Sequence, residues 1–345
     1  MTSRSMNINP RSTWPSWLLA TVVALGLAAL VVPAVSSASN KKVDGVRARV
    51  KRGTLEVKGT PGADALALRL KAGDPDTVEV DVGNDRSPDF SFARRDLRAI
   101  AVEARGGADF VRVDDTNGGF TDTIPTTIDG GAGDDTLNGG LGIETLIGGE
   151  GDDTVDGGRG DDIASLGGGN DVFVWDPGEG NDVIEGQDGI DTMVFNGAAV
   201  DETATLTANR GRLTFFRTPG NVTMDTDDVE IVDFNALGGK DSVTVNDLSS
   251  TDVALTNVDL AGALGGDAGD RADDNVVVNG TDGDDTIDVD RSASGADVIG
   301  LANVVSVSHT DPTDTLSVNT LLGTDNAFVT GVAGGLRVFL DGTLA

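Results

Sequence analysis

Acidic side chains recur at a regular spacing between residues 130 and 194, and each one follows a glycine by two positions. Carboxylate oxygens are hard ligands, and glycine allows the tight turns that can bring several of them together. The pattern therefore predicts a row of ligands for a hard cation. The acids concerned are Asp135, Glu144, Asp153, Asp162, Asp171, Asp182 and Asp191.

These acids belong to a tandem array of seven nine-residue units, interrupted once by the inserted pair Trp175-Asp176. In every unit, repeat position four is Gly, position six is acidic and position eight is apolar. Because successive side chains of a strand point to opposite sides, position eight predicts a short strand with one buried face. The units are GGAGDDTLN (130–138), GGLGIETLI (139–147), GGEGDDTVD (148–156), GGRGDDIAS (157–165), LGGGNDVFV (166–174), PGEGNDVIE (177–185) and GQDGIDTMV (186–194).

The pattern G-G-x-G-x-D-x-U-x, with U apolar, resembles the calcium-binding nonapeptides of the RTX family. The resemblance implies an all-β fold, a right-handed parallel β-roll or β-solenoid in which two units form one coil. It also implies that calcium lies between the turns of unit n and unit n+2, with at most five such pairs here. The implied ligands are Asp135, Asp153, Asp162, Asp171, Asp182 and Asp191.

Two departures from the repeat bear on these sites. Glu144 is longer than the Asp found in the other units, and we expect it to weaken its pair with Asp162. The Trp175-Asp176 insertion separates units that must stack, and we expect it to disturb the last two pairs. Phe173, at repeat position eight, is expected in the core and Trp175 over an edge.

Folding of the array is expected to depend on the metal. One buried apolar side chain per nine residues offsets little of the conformational entropy that is lost on ordering. Stacked carboxylates also repel one another unless a cation lies between them. Calcium suits flexible all-oxygen sites better than magnesium, which demands a small and regular octahedron. We therefore expect Ca2+ to be the cofactor that folds the array.

The array is flanked by segments 39–129 and 195–345, in which alternating apolar residues and Gly/Asp turns predict further short strands. Looser copies of the unit occur at 59–67 (GTPGADALA) and 280–288 (GTDGDDTID), and a second theme recurs at 106–113, 238–245 and 323–330. These segments are either further solenoid coils or turns of similar composition. Asp285 is the best isolated candidate ligand, and Asp64 is a weaker one.

The N-terminal residues 1–38 have the features of a signal peptide. Basic Arg4 and Arg11 precede an apolar run that is closed by Pro33, and small residues follow up to Ala38. The sequence therefore predicts secretion with cleavage after Ala38. The alternative is a single membrane anchor, since the run is near the lower limit for a span. The mature chain has no second apolar run that would predict a membrane span. It also has no Cys, so disulfides cannot stabilise the fold.

Composition narrows the function. The net charge of −32 disfavours nucleic acid and anionic lipid as partners and favours a cation. His309 is the single His and is expected on an exposed loop, and neither an H-E-x-x-H nor a G-x-S-x-G motif is present. We therefore expect no enzyme activity, but a structural or interaction role with a protein or polysaccharide partner. The alternative is a calcium-dependent, polysaccharide-active extracellular enzyme with the array as an accessory module.

Overall fold

The computed structural model describes residues 42–332 and 334–345, and the predicted signal peptide lies outside them. Within the described residues the chain forms β-strands and two short 3-10 turns, Arg94–Asp96 and Asp115–Asn117. No helix in this part of the chain is long and apolar enough to cross a membrane.

The strands have the following bounds. Before the array lie β1 (Lys42–Val43), β2 (Val46–Lys51), β3 (Thr54–Lys58), β4 (Ala65–Lys71), β5 (Asp74–Val82), β6 (Phe90–Ala93), β7 (Ala99–Gly106) and β8 (Phe110–Asp114). In and beside the array lie β9 (Thr126–Ala132), β10 (Thr136–Gly140), β11 (Glu144–Glu150), β12 (Thr154–Gly158), β13 (Ile163–Gly169), β14 (Val172–Trp175), β15 (Val183–Gly189) and β16 (Thr192–Asn196). After it lie β17 (Thr203–Asn209), β18 (Arg212–Thr218), β19 (Val222–Asp227), β20 (Ile231–Asn235), β21 (Ser242–Val245), β22 (Leu255–Asp259), β23 (Asn275–Asn279), β24 (Thr286–Arg291), β25 (Ala296–Ile299), β26 (Val304–Ser308), β27 (Thr315–Asn319), β28 (Asn326–Gly331), β29 (Arg337–Leu340) and β30 (Thr343–Leu344).

These strands form two sheets. The first sheet has the order β1-β2-β3-β7-β9-β11-β13-β15-β19-β18-β17-β21-β23-β27-β29-β30, and the second has the order β28-β24-β25-β26-β22-β20-β16-β14-β12-β10-β8-β4-β5-β6. Along the array the chain alternates between the sheets, so that β11 lies in the first, β12 in the second, and β13 pairs in parallel with β11. Two nonapeptides thus make one coil, and the predicted all-β roll of parallel strands is confirmed.

The core lies between the two sheets and is built from repeat position eight. In the second sheet Leu137 is in register with Val155, and Val155 with Phe173, so like positions stack on one another. The position-eight side chains are all fully buried: Leu137, Leu146, Val155, Ala164, Phe173, Ile184 and Met193. Parallel stacking of identical positions follows from the fixed period of the sequence.

Strands outside the array continue the same two sheets. Upstream, β8 pairs in parallel with β10, with Val111 opposite Leu137. Downstream, β20 pairs in parallel with β16, with Val232 opposite Met193. The looser units at 59–67 and 280–288 lead into β4 and β24, so strand pairing places them on coils of this solenoid. Antiparallel hairpins widen the first sheet at β17–β19 and the second at β24–β26.

The expectation that Trp175 covers an edge is wrong. Trp175 is fully buried at the end of β14, and its indole Nε1–H donates to the Gly180 carbonyl at 3.0 Å. Its ring stacks on Phe195 with centroids 4.0 Å apart, and Phe195 contacts Phe215 at 4.4 Å. The insertion therefore lengthens a strand by one apolar residue and adds the remaining length to the following loop.

Candidate metal-binding turns

The position-six acids of the array lie in turns at the two edges between the sheets. Asp135, Asp153, Asp171 and Asp191 precede strands of the second sheet. Glu144 begins a strand of the first sheet, and Asp162 and Asp182 each immediately precede one. The fold thereby divides the seven acids into two stacked rows. The four acids before the second sheet form the long row, and the three acids at the first sheet form the short row.

Each row is linked by hydrogen bonds from backbone to carboxylate. In the long row the Asp135 N–H donates to Asp153 Oδ1 and the Asp153 N–H donates to Asp171 Oδ1, both at 2.7 Å. In the short row the Asp162 N–H donates to Asp182 Oδ1 at 2.8 Å. One carboxylate oxygen of each later unit is thus held against the backbone of the unit two before it.

The other carboxylate oxygen is buried and has no hydrogen-bond partner. This holds for all seven position-six acids of the array: Asp135, Glu144, Asp153, Asp162, Asp171, Asp182 and Asp191. Each of these residues is at most 2% exposed. A buried and unpaired oxygen of an ionised group is costly unless a cation or a proton satisfies it. The chemistry of this all-oxygen donor set fits calcium.

The glycines of the repeat are required by these close approaches. A Cβ at Gly148, repeat position one, would lie 2.5 Å from Asp153 Oδ2. Gly151, at position four, has a φ of +122°, and its Cβ would lie 2.5 Å from the Gly133 carbonyl oxygen. A larger residue at Gly151 would push its coil away from the preceding one, whereas position one also accepts the fully buried Leu166 in another unit.

Burial and mutual repulsion raise the pKa values of acids in both rows. The pKa of Asp162 is raised to about 9 and those of Asp153 and Asp182 to about 7, chiefly because burial disfavours the charged carboxylate. The backbone N–H bonds oppose this rise, while the neighbouring acids add to it. Burial likewise raises the pKa of Asp191, to about 6, and that of Asp171. A bound cation would reverse this balance in favour of the ionised form.

A second set of contacts joins the turns at repeat position five, and it runs in the opposite direction. The Asp152 N–H donates to Asp134 Oδ1 at 3.1 Å, and the Asn170 N–H donates to Asp152 Oδ1 at 2.7 Å. Here the later unit supplies the N–H, whereas at position six it supplies the carboxylate. The two directions together fix the stacking of one turn on the next.

The Trp175-Asp176 insertion does not break the rows, contrary to the sequence-based expectation. The Asp162 N–H reaches Asp182 across it, and the Asp171 N–H donates to Asp191 Oδ1 at 2.9 Å. The extra length is accommodated in the loop after β14, where carboxylate oxygens of Asp156, Asp176 and Glu179 lie within 4.8 Å of one another.

Glu144 makes the pair that its length was expected to disturb. Its N–H donates to Asp162 Oδ1 at 2.7 Å, as the Asp residues do in the other units. Its own Oε2 accepts the Gly140 N–H at 2.8 Å, within its own unit, and burial raises its pKa. Glu144 is the first acid of the short row, and its carboxylate turns back to its own turn.

The two isolated candidates differ from the array. Both carboxylate oxygens of Asp285 are already paired, Oδ2 with the Thr281 N–H at 2.8 Å and Oδ1 with the Thr281 hydroxyl at 2.9 Å. Asp64 accepts the Thr60 N–H, and its own N–H donates to Asp109 Oδ1 at 2.6 Å.

Asp109 extends the long row upstream, although it is not among the ligands predicted from the sequence. Its N–H donates to Asp135 Oδ1 at 2.7 Å, and its Oδ2 is buried without a partner. The recurring segment GGADFVRV contained the signal, since its Asp follows a glycine by two positions.

His309 lies apart from these rows, and it is half-buried rather than on an exposed loop. Its ring Nδ1 is 2.7 Å from Asp259 Oδ1. The residue has a φ of +55° and is the first residue of the loop that follows β26. His309 therefore contacts a single carboxylate, that of Asp259, which does not belong to the turns of the array.

Comparison with known families agrees with this geometry. A family model described as the RTX calcium-binding nonapeptide repeat, in four copies, matches residues 127–143, 139–173 and 178–195. No curated protein matches the chain. The chain therefore carries RTX calcium-binding nonapeptide repeats, and it is a calcium-binding β-roll protein.

Proposed function

We propose that this protein is secreted, that its array folds on binding calcium, and that it has a structural or interaction role outside the cell. The observation that carries the calcium-dependent step is the row of buried, unpaired carboxylate oxygens at repeat position six. Secretion rests on the N-terminal sequence pattern, and the structural role rests on the lack of a recognisable catalytic motif in the sequence.

The residues that would hold calcium are the position-six acids, each acting with the turn two units away. Asp153 positions one oxygen against the Asp135 backbone and presents the other to the ion. Bound calcium supplies positive charge between acids that otherwise repel one another, and so links adjacent coils. The glycine at position four of every unit keeps the turns close enough to share a ligand.

The test is circular dichroism of the full mature chain in chelator and then at increasing calcium. We expect β structure to increase at about 0.1–1 mM calcium, as at other weak extracellular sites. Magnesium at the same concentration is the control and should have a much smaller effect. A chain with its full β signal in chelator, unchanged by calcium, would contradict calcium-dependent folding.

Secretion is tested separately by N-terminal sequencing of protein recovered from the culture medium. We expect the mature chain to start at Ser39. Recovery only from membranes, with Met1 or Thr2 at the N-terminus, would instead support the anchor.

A further inference from the structure

A third row of stacked acids lies beyond the array, in turns that lack the nonapeptide motif. The Glu202 N–H donates to Asp241 Oδ1 and the Asp241 N–H to Asp274 Oδ1, both at 2.8 Å. The Asp274 N–H donates to Asp314 Oδ1 at 3.0 Å. The four acids immediately precede β17, β21, β23 and β27, which pair in parallel in the first sheet. We call this set the downstream row.

The downstream row contains buried oxygens without partners, as the array does. Asp241 is 2% exposed, and its Oδ2 has no hydrogen-bond partner. Glu202 is also 2% exposed and leaves Oε2 unpaired, although its Oε1 contacts the Arg217 guanidinium. Arg217 thus offsets the charge of Glu202. Burial raises the pKa of Asp241, and the neighbouring acids Asp274, Glu202 and Asp270 raise it further.

Two further acids link these turns to one another. Asp270 Oδ2 accepts the Gly239 N–H and its Oδ1 accepts the Ala272 N–H, both at 2.7 Å. These bonds tie the turn of Asp274 to the turn of Asp241 and leave neither oxygen of Asp270 unpaired. Asp311 does the same one coil later, where it accepts the Arg271 N–H at 2.5 Å. Counted back from Asp274 as position six, Asp270 stands at position two, which is glycine in most units of the array.

The sequence reveals this row only in part. Asp241 lies in the recurring segment 238–245, two positions after Gly239, but the segment 236–244 reads ALGGKDSVT and lacks both leading glycines, and the segment 309–317 reads HTDPTDTLS and contains none. The acids are 39, 33 and 40 residues apart, because loops and hairpins of different length separate them. The family match ends at residue 195. The basic residues of the same turns, Lys240 and Arg271, are exposed, while Asp241 and Asp274 are buried.

We propose that Asp241 and Asp274, in stacked turns, form a divalent-cation site of the calcium type, separate from the nonapeptide array. The buried Oδ2 of Asp241 is the carboxylate oxygen that lacks a partner, and Asp274 holds the next place of the same row. Both oxygens of Asp270 already accept backbone N–H groups, so Asp270 holds the turns together. The site would join β21 to β23 as the array sites join their coils. Calcium binding would then extend into a half of the chain that the repeat motif does not reach.

The test uses the full mature chain and counts bound Ca2+ by equilibrium dialysis. Asp241→Asn keeps the shape of the side chain and the oxygen that accepts the Glu202 N–H, but removes the charged ligand. We expect this variant to bind about one ion fewer than the wild type and to show a smaller rise of Tm in calcium. Asp247→Asn is the matched control, because Asp247 is exposed on the neighbouring loop, and it should change neither quantity.

Asp274→Asn is the second variant, because Asp274 stands next to Asp241 in the row, and it should lose the same ion if the site is real. An Asp241→Asn variant that folds in calcium, binds as many ions as the wild type and gains as much Tm would overturn the proposal. So would an Asp274→Asn variant with unchanged binding, should Asp241→Asn fail to fold. Asp153→Asn separates this result from failure of the array, because it should lose an array ion and keep the downstream one.

Discussion

At the scale of single residues, the position-six acid has two tasks that its two oxygens divide. One oxygen accepts a backbone N–H, and the other is left buried for an ion. The first acid of a row has no earlier acid to stack on, and it accepts the N–H of repeat position two in its own unit. Glu144 does this with Gly140, and Glu202 does it with Ala198 at 3.0 Å. Both glutamates of the stacked rows beside the first sheet thus stand where a row begins.

Asp153→Ala should damage calcium binding more than Asp64→Ala. Asp153 lies within the long row, so its loss removes an ion ligand and the acceptor of the Asp135 N–H. We expect the calcium midpoint to rise about tenfold, equivalent to about 1.4 kcal/mol. Asp64 lies at the upstream end of the long row, where it stacks only on Asp109, so its loss affects one neighbour. Calorimetric titration compares the two, with Asp188→Ala as a control at an exposed repeat position three. Equal losses for Asp64 and Asp153 would show that the isolated unit is a full site.

Glu144→Asp should strengthen calcium binding and raise the Tm in calcium. Asp64 and Asp285 show that an aspartate at this repeat position reaches the N–H of position two, so the Gly140 contact can survive. In chelator the variant loses one buried methylene, at a cost of about 0.8 kcal/mol. Melting curves in calcium and in chelator separate the two effects. A lower Tm in calcium would identify the glutamate as the better ligand at the start of a row.

The sequence predicted the stacking of the array and the place of its acids in the turns, because turn, acid and core position all recur within nine residues. The downstream row was not predicted, because loops of different length remove any period between its acids. Trp175 was misplaced for a related reason: the insertion moves it out of the repeat, yet β14 continues through it into the core. Residues whose partners are set by local spacing could be predicted, whereas those brought together by loops of unequal length required the structure.

At the scale of elements, the two edges of the roll are held by carboxylates and its faces by strand pairing. Positions five and six link each turn to its neighbours in opposite directions, so a turn cannot shift along the stack without breaking both sets of bonds. The strands themselves bury the apolar side chain at position eight of every unit. The edges are therefore the part of each coil that responds most to charge and to metal.

A rise in pH should destabilise the metal-free fold but strengthen its binding of calcium. In the metal-free fold the pKa values of Asp153 and Asp182 are raised to about 7, above the ordinary value near 4. Their contribution to stability is present below the ordinary pKa and is lost as pH rises through about 7. Asp162, with a pKa of about 9, extends the loss to higher pH. Calcium binds the ionised forms, so its affinity should rise over the same range.

Melting temperatures in chelator at pH 5 and pH 8, and calcium midpoints at the same two values, check both effects. We expect a higher Tm at pH 5 in chelator and a lower calcium midpoint at pH 8. Proton release on calcium addition at pH 7 is the direct readout. A calcium midpoint that does not change with pH would mean that the acids are already ionised before the metal binds.

At the scale of the whole described chain, one core joins coils of unequal strength. Upstream, β4 buries Leu66, Leu68 and Leu70. Downstream of the array, Phe215 and Phe234 lie 5.6 Å apart in a cluster that also contains Trp175 and Phe195. Between them the array buries mainly single aliphatic side chains and the acids of the two rows. In a solenoid, stability is close to a sum of local and nearest-neighbour terms, so the array should be its weakest part without metal.

Hydrogen–deuterium exchange should therefore show that chelator opens the middle of the protein before its flanks. We expect strands β10–β13 to exchange fastest in chelator, because Leu137 and Ala164 bury little apolar area and the acids beside them repel. The peptides of β4 and of the aromatic cluster should stay protected longer, since their cores do not depend on the rows. Calcium should restore protection in β10–β13 and change β4 least. Uniform exchange along the chain in chelator would instead mean that the coils unfold as one cooperative unit, with the loss of the array transmitted through every strand pair.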